Sequence, residues 1–216
     1  SPEFRTVQRP TTEFTATAWV RIDQKQEWGG IIGVIQDNGD DEKGWLLGYR
    51  KNRFCVGVNA EGGPDKLTYL TADHNFELGQ WYHIAGSYDG TTLQLFVNGK
   101  LCANSGEQSG KISYPDRAWF EIGAYHDKDE YFRMRGAIHE VQLYNTALPS
   151  TDIVAHYETS RSRIPAKTVE AKIASVPWLQ FDDPQTATVR WTTSDAQPTR
   201  LDYGTDGFSE SVSTPA

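Results

Sequence analysis

The sequence has a single methionine, two cysteines and no apolar run near the roughly 18–20 residues that a membrane-crossing helix needs. Nor does it open on a charged start, an apolar middle and a small-residue cleavage site, the pattern of a signal peptide. Basic residues are in the minority, 21 against 29 acidic ones. The resulting net charge of -8 has the wrong sign for collecting phosphates, so nucleic acid and acidic membranes are poor partners. The five histidines show no ligand spacing of the H-E-x-x-H kind, and no G-x-S-x-G, Walker A loop or nucleotide-binding glycine fingerprint is present. Seven Trp, ten Tyr and nineteen Gly in 216 residues speak against a helical bundle, because aromatics favour strands and glycine favours their turns. Ser1–Phe4 have the composition of a scar left when a fusion tag is removed, and residues 1–4 are set apart from fold reasoning.

What is present is alternation. Phe14, Ala16, Ala18, Val20 and Ile22 alternate with Thr15, Thr17, Trp19 and Arg21, the period of a strand with one buried face, and Trp19 on the other face needs its own partner. IIGVIQ follows, then GWLLGYR and RFCVGVN flank Lys51 and Asn52 as a hairpin. LTYL is a further strand. WYHIAGSY runs to Asp89-Gly90 and TLQLFV to Asn98-Gly99, dipeptides suited to the positive φ of tight hairpins. WFEIGAY and AIHEVQLYN complete the set. Helical spacing occurs only in LPSTDIVAHYE, where Ile153 and Tyr157 stand at i and i+4 and Ser150 or Thr151 would cap. These signals predict an all-β fold: an antiparallel jelly-roll sandwich of two sheets with one short helix over residues 5–158. Residues 159–172 are polar and carry Pro165, as a linker does. Residues 173–216 hold three candidate strands, too few for an independent sandwich, and form a partial second β-module.

Residues 14 to 157 resemble laminin G-like or concanavalin A-like jelly rolls of the group that includes pentraxins. FTATAWVRI, WYHIAGSYDGTTLQLFVNGKLCA, EIGAY and GAIHEVQLYNTALPSTDI carry the likeness in the order the group has them. The last motif departs from G-x-I-D-E-V, with His139 at the Asp position. PWLQ, TATVRWTT and TRLDYGT, within 175 to 207, are similar to the fibronectin type III-like module that precedes the catalytic domain of purple acid phosphatases and related metallophosphoesterases. No phosphatase metal motif accompanies them, so that likeness implies a piece of a longer secreted or surface enzyme whose catalytic part lies elsewhere.

Sandwiches of this architecture also include glycoside hydrolases, which need two carboxylates across the scissile bond. No E-x-D-x-x-E pattern occurs, and Glu140 has no acidic neighbour at i±2, so it is expected as a lone surface or rim residue. His83 is expected to be a packed structural histidine. Calcium takes roughly six to eight oxygen ligands and favours acidic loops. Two such loops exist, one with Asp37, Asp40 and Asp41 and one with Asp127 and Asp129. In pentraxins loops at these places hold calcium, so the resemblance implies Ca²⁺ here; the alternative is two solvated hairpin tips. Sugar recognition needs flat aromatic faces bordered by polar groups, for which Trp28, Trp45, Tyr49 and Tyr125 are the candidates, with burial in the core as the competing role. Trp28 is expected in a loop between strands. Cys55 and Cys102 would bridge if their strands are neighbours, and are otherwise two small buried thiols.

The expected function is a non-catalytic carbohydrate- or ligand-binding module of a larger extracellular or cell-surface protein, periplasmic location being the variant, with calcium at one rim and a glycan or extracellular protein as partner. The alternatives are a structural spacer or protein-interaction domain of a multidomain metallophosphoesterase, and a glycosidase with an unrecognised acid pair.

Overall fold

The computed structural model describes residues 9–39, 41–116 and 119–164, the Asp41 side chain excepted, and the backbone of four strands between Ile173 and Thr214. Arg9–Ile164 forms one compact unit and the four later strands belong to another.

The first unit is an antiparallel jelly-roll sandwich. Its strands are β1 (Phe14–Ile22), β2 (Gln26–Asn38), β3 (Asp41–Lys51), β4 (Arg53–Val58), β5 (Thr68–Thr71), β6 (Trp81–Tyr88), β7 (Leu93–Val97), β8 (Lys100–Ser105), β9 (Phe120–Ile122), β10 (Ala124–His126), β11 (Tyr131–Arg133) and β12 (Gly136–Tyr144). One five-stranded sheet runs β12-β1-β6-β7-β8 and the other β5-β4-β3-β2-β9, while β10 and β11 form a separate hairpin. Turn chemistry accounts for much of this order. Asn98 and Gly99 both take positive φ, 51° and 75°, as a two-residue hairpin between β7 and β8 demands. Asp89-Gly90 behaves differently: the Asp89 carboxylate accepts the N–H groups of Thr91 and Thr92 at 2.8 and 2.7 Å, and this longer turn joins β6 to β7.

Two strand boundaries differ from the expectation. QEWGG is not a loop, because β3 is long enough to pair from Asn38↔Asp41 back to Gln26↔Lys51, which draws Trp28 into β2. WFEIGAY is not one strand, because Gly123 takes φ 81° and breaks it. β9 stays beside β2, and β10 leaves the sheet to pair with β11.

Between the sheets, Phe14 of β1 stacks on Trp45 of β3 with ring centroids 4.7 Å apart. Ala16, Val20 and Ile84 from one sheet and Leu47, Tyr49 and Val56 from the other are fully buried with them. The outer face of the first sheet is covered by helix α1 (Ser150–Ser160). Ile153 packs on Ala85 and Phe96. Trp19 finds its partner here: its ring stacks on Tyr157 at 5.7 Å and its indole N–H donates to Ser160 Oγ at 2.8 Å. Neither Ser150 nor Thr151 caps the helix; Pro149 occupies the cap position, and its carbonyl accepts the N–H of Asp152 and Ile153. The expected linker 159–172 begins as ordered chain, since the helix runs to Ser160 and a 3₁₀ turn spans Arg161–Arg163. Residues 165–172 lie outside the described residues.

Glu140 corrects a further expectation. β1 and β12 slip register between Thr17 and Trp19, and Glu140 sits at this bulge with φ 53°. Its side chain is 5% exposed and pairs with Arg163, so it is a buried anchor for the chain beyond the helix and not a rim carboxylate. His139 lies nearby, its ring 6.5 Å from that of Trp81.

The two cysteines are free. Cys55 is buried in β4 and Cys102 lies in β8 of the opposite sheet, so their strands are not neighbours. In the second unit, β13 (Ile173–Asp183) pairs with β14 (Thr186–Thr193), and β15 (Thr199–Tyr203) with β16 (Glu210–Thr214). These cover the three expected strands and add a fourth. Two hairpins alone do not define a fibronectin type III sandwich.

His83 has the structural place expected of it. It is fully buried on β6 under the helix, its Nε2 2.9 Å from Nδ1 of His156. Burial, and secondarily the charge of His156, depress its pKa from 6.5 to about 3. Between those values the unfolded chain binds the proton and the folded one does not, so stability falls as pH drops below about 6.5. Going from pH 7 to pH 5 should cost about 2 kcal/mol through this group, seen as a lower urea midpoint. A His83→Gln variant should lose that part of the drop; an undiminished drop would exclude His83 as its source.

Candidate functional site

The inward phase of β3 fixes what faces outward. With Trp45, Leu47 and Tyr49 in the core, Leu46, Gly48 and Arg50 point to the opposite side, together with Trp28, Ile35 and Asp37 of β2 and Tyr69 of β5. This outer face is only partly covered. The β10–β11 hairpin lies on it, and Gly30 makes that approach possible, since a Cβ there would fall 1.9 Å from the Ala124 carbonyl oxygen. Tyr125 and Phe132 of the hairpin pack with Ile35, Leu46 and Leu67. The uncovered remainder is a groove of about 330 Å³.

Its floor and walls are amphipathic. Trp28, half-buried, packs against Tyr125 and Tyr69 at centroid distances of 5.6 and 5.1 Å. Arg50, the cross-strand neighbour of Trp28, holds its guanidinium carbon 4.9 Å from the indole. The Tyr69 ring lies across Gly57, where a Cβ would meet it at 2.6 Å. Asp37, Glu42 and Lys66 line the same groove. Glu42 is fixed by the N–H of Leu67, which donates to it at 2.7 Å.

At one end the groove meets an acidic rim. Tyr69 donates its hydroxyl to Asp37 Oδ2 at 2.9 Å. The Tyr125 hydroxyl is 3.2 Å from Asp127 Oδ2 and 3.4 Å from Asp37 Oδ2, and its single proton serves one of them at a time. Burial, then the charge of Asp37, push both phenols well above their ordinary pKa, so they remain donors. Asp127 is 1% exposed. Its Oδ1 accepts the N–H of Asp129 and Glu130 at 3.1 and 2.8 Å, which closes the β10–β11 turn. Burial raises its pKa, and burial with the charges of Asp127, Asp129 and Asp37 raises that of Glu130.

The expected ligand residues divide accordingly. Trp28 lines the groove, and Tyr125, 1% exposed, stacks on its ring from the covering hairpin. Trp45 and Tyr49 are corrections: both are fully buried in the core between the sheets, where Trp45 donates to the Tyr114 hydroxyl and Tyr49 to Gln26. The alternation of GWLLGYR allows either phase, and burying the larger rings selects this one. Of the expected metal ligands, Asp37 and Asp127 meet through Tyr125, and the Asp129 N–H bonds to Asp127. Asp41 pairs with Asn38 in the hairpin through its backbone, while its side chain and all of Asp40 lie outside the described residues. Among the described residues no three carboxylates of this rim come within mutual ligand reach. Arg50, Tyr69 and Lys66 are groove residues that sequence reasoning missed. The outward phase of β3 was the available signal for Arg50.

Two packed antiparallel sheets with a partly covered outer face define a lectin-type jelly-roll module. The chain belongs to the concanavalin A-like lectin/glucanases superfamily, whose laminin G model matches residues 2–154. Pappalysin-1 of Mus musculus is 27% identical over 161 residues, which cover 69% of this chain and 10% of that protein. The chain thus spans about a tenth of the length of the curated relatives it matches. Among solved structures, the CBM40 of the Ruminococcus gnavus IT-sialidase bound to α2,3-sialyllactose superposes with a TM-score of 0.55 at 16% identity, over 67% of this chain and 82% of that one. The heptameric SAP-like pentraxin of Limulus polyphemus gives 0.53 at 16% identity, over 85% and 82%. At these identities the likeness is one of fold. No helix among the described residues is long and apolar enough to cross a membrane.

Truncating Trp45 tests the corrected assignment. Trp45→Ala should destabilise the sandwich by about 3–5 kcal/mol in urea unfolding, the cost of removing a large core aromatic. A change below about 1 kcal/mol would place Trp45 outside the core.

Proposed function

We propose that this chain is a non-catalytic carbohydrate-binding module of a larger extracellular protein, with its ligand in the groove on the outer face of the β5-β4-β3-β2-β9 sheet. The observation that carries the reading is the half-buried Trp28 beside Arg50, Glu42, Asp37 and Lys66. An aromatic face with donors and acceptors of both charges at its border is what a sugar's apolar face and hydroxyls require. The groove volume suits a short glycan. The superfamily and the fold shared with a carbohydrate-binding module support the same reading, and the similarity to a tenth of pappalysin-1 supports a place within a larger chain. Against catalysis stands the state of the two acids that meet at the Tyr125 hydroxyl. Asp127 is buried and its oxygens are engaged, so it and Asp37 do not flank a space open to a glycosidic bond.

Calcium is proposed for the rim of Asp37, Asp127 and Asp129, with Asp40 and Asp41, which follow Gly39 in the sequence, as further candidate ligands. What supports it is the gathering of carboxylates there: Asp37 and Asp127 meet at the Tyr125 hydroxyl, and the Asp129 N–H bonds to Asp127. An ion there would compete with the phenol and N–H hydrogen bonds that now hold Asp37 and Asp127.

Glycan-array screening followed by calorimetry tests the groove. Trp28→Ala should weaken the best ligand at least tenfold, about 1.4 kcal/mol, while leaving the unfolding midpoint within a few degrees. Unchanged affinity would move the site elsewhere, and no ligand on the array would favour a spacer or protein-interaction domain. For the rim, thermal unfolding in calcium and in chelator should differ by the equivalent of about 2.7 kcal/mol at a hundredfold excess over Kd. Identical melts would remove calcium.

A further inference from the structure

β5 is the outermost strand of one sheet and β8 the outermost strand of the other, so the sandwich has an open edge where these two lie. A mixed cluster of side chains occupies it. Asp73 and His74 come one residue past the end of β5, and Cys102 lies in β8. The imidazole Nδ1 of His74 is 2.6 Å from Oδ1 of Asp73. A carboxylate oxygen, an imidazole nitrogen and the Cys102 sulfur all lie within 4.8 Å of one another, and among the described residues no other trio of potential ligands does so. Cys102 has no disulfide partner to occupy it, since Cys55 is buried on the opposite sheet.

We propose that Asp73, His74 and Cys102 bind a borderline divalent transition ion of the zinc class, which ties together the open edges of the two sheets. The donor set decides the class of ion. One thiolate, one imidazole and one carboxylate suit Zn²⁺, whereas calcium and magnesium take oxygen and leave sulfur. Ligands about 2.0–2.3 Å from a tetrahedral ion lie roughly 3.3–3.8 Å from each other. Closing from 4.8 Å takes about an ångström of side-chain movement. The side chains of His74 and Asp73 are 51% and 72% exposed and free to make it. Three protein ligands leave a fourth position for water or for a donor from another molecule. The ends of the tie come from different sheets, so binding favours the folded state over the unfolded one.

Cobalt tests the site because it replaces zinc and reports thiolate ligation by a near-ultraviolet charge-transfer band. Titrating Co²⁺ into the whole chain, reduced and near neutral pH, should raise that band to one equivalent, and Zn²⁺ should abolish it. Cys102→Ser should remove the band, and His74→Ala should weaken cobalt at least tenfold. Zn²⁺ at a hundred times its Kd should multiply the folding equilibrium constant about a hundredfold in the parent chain, about tenfold or less in His74→Ala, and leave Cys102→Ser unmoved. No band, a band that survives Cys102→Ser, or a zinc shift that is undiminished in either variant would overturn the proposal. Calcium stabilisation through the acidic rim would persist in Cys102→Ser, so the two metal proposals fail independently.

Discussion

The stacking of Phe14 on Trp45 sets the phase of both sheets. Side chains alternate along a strand, so fixing one ring inward fixes every residue at even spacing from it. In β1 this sends Ala16, Ala18, Val20 and Ile22 into the core and Trp19 outward. In β3 it sends Leu47 and Tyr49 inward with Trp45, and Arg50 outward beside Trp28. A one-residue slip would bury Arg50 and expose Trp45, which desolvation of an unpaired guanidinium forbids.

Each sheet then has an outer face, and the two are treated differently. On the first, the helix covers Ala85 and Phe96 with Ile153 and satisfies the Trp19 indole with Ser160, so β1 is buried on both sides along its whole length. Leaving that N–H unpaired would cost about 1–3 kcal/mol, which explains a serine at the helix end. On the second, a three-residue-per-strand hairpin covers only part of the face. What stays open is the groove, with an aromatic floor continuous with the core cluster beneath it.

The acidic rim illustrates how one group serves folding and leaves another available. Asp127 holds the hairpin turn through backbone N–H groups and is sealed from solvent. Asp37 shares the Tyr125 hydroxyl with it, accepts that of Tyr69 alone, and lines the groove. The hairpin that narrows the groove is thus anchored by the same hydrogen bonds that orient the groove's acid.

Strand identity, the Asn98-Gly99 hairpin, the helix and the buried His83 were legible in the sequence, because period-two and period-four patterning and turn chemistry are local. The division of the rings was not. Taken singly, Trp28, Trp45, Tyr49 and Tyr125 can each serve as a sugar platform or a core residue, the core being the commoner place for a large ring; only the pairing of β3 with its neighbours buries Trp45 and Tyr49 and leaves Trp28 half-open. Glu140 shows the same limit, since the bulge that turns it under Arg163 arises from register across β1 and β12, which no single strand encodes. Asp73 and His74 stand 28 residues or more from Cys102 in the chain and meet only because two sheet edges do. The sequence by itself determined which segments are strands and which turns close them, through interactions spanning a few residues. Which side chains face the groove, and which distant ones converge, was decided by the packing of one sheet on the other, where the alternatives differ by the burial of whole rings and charges.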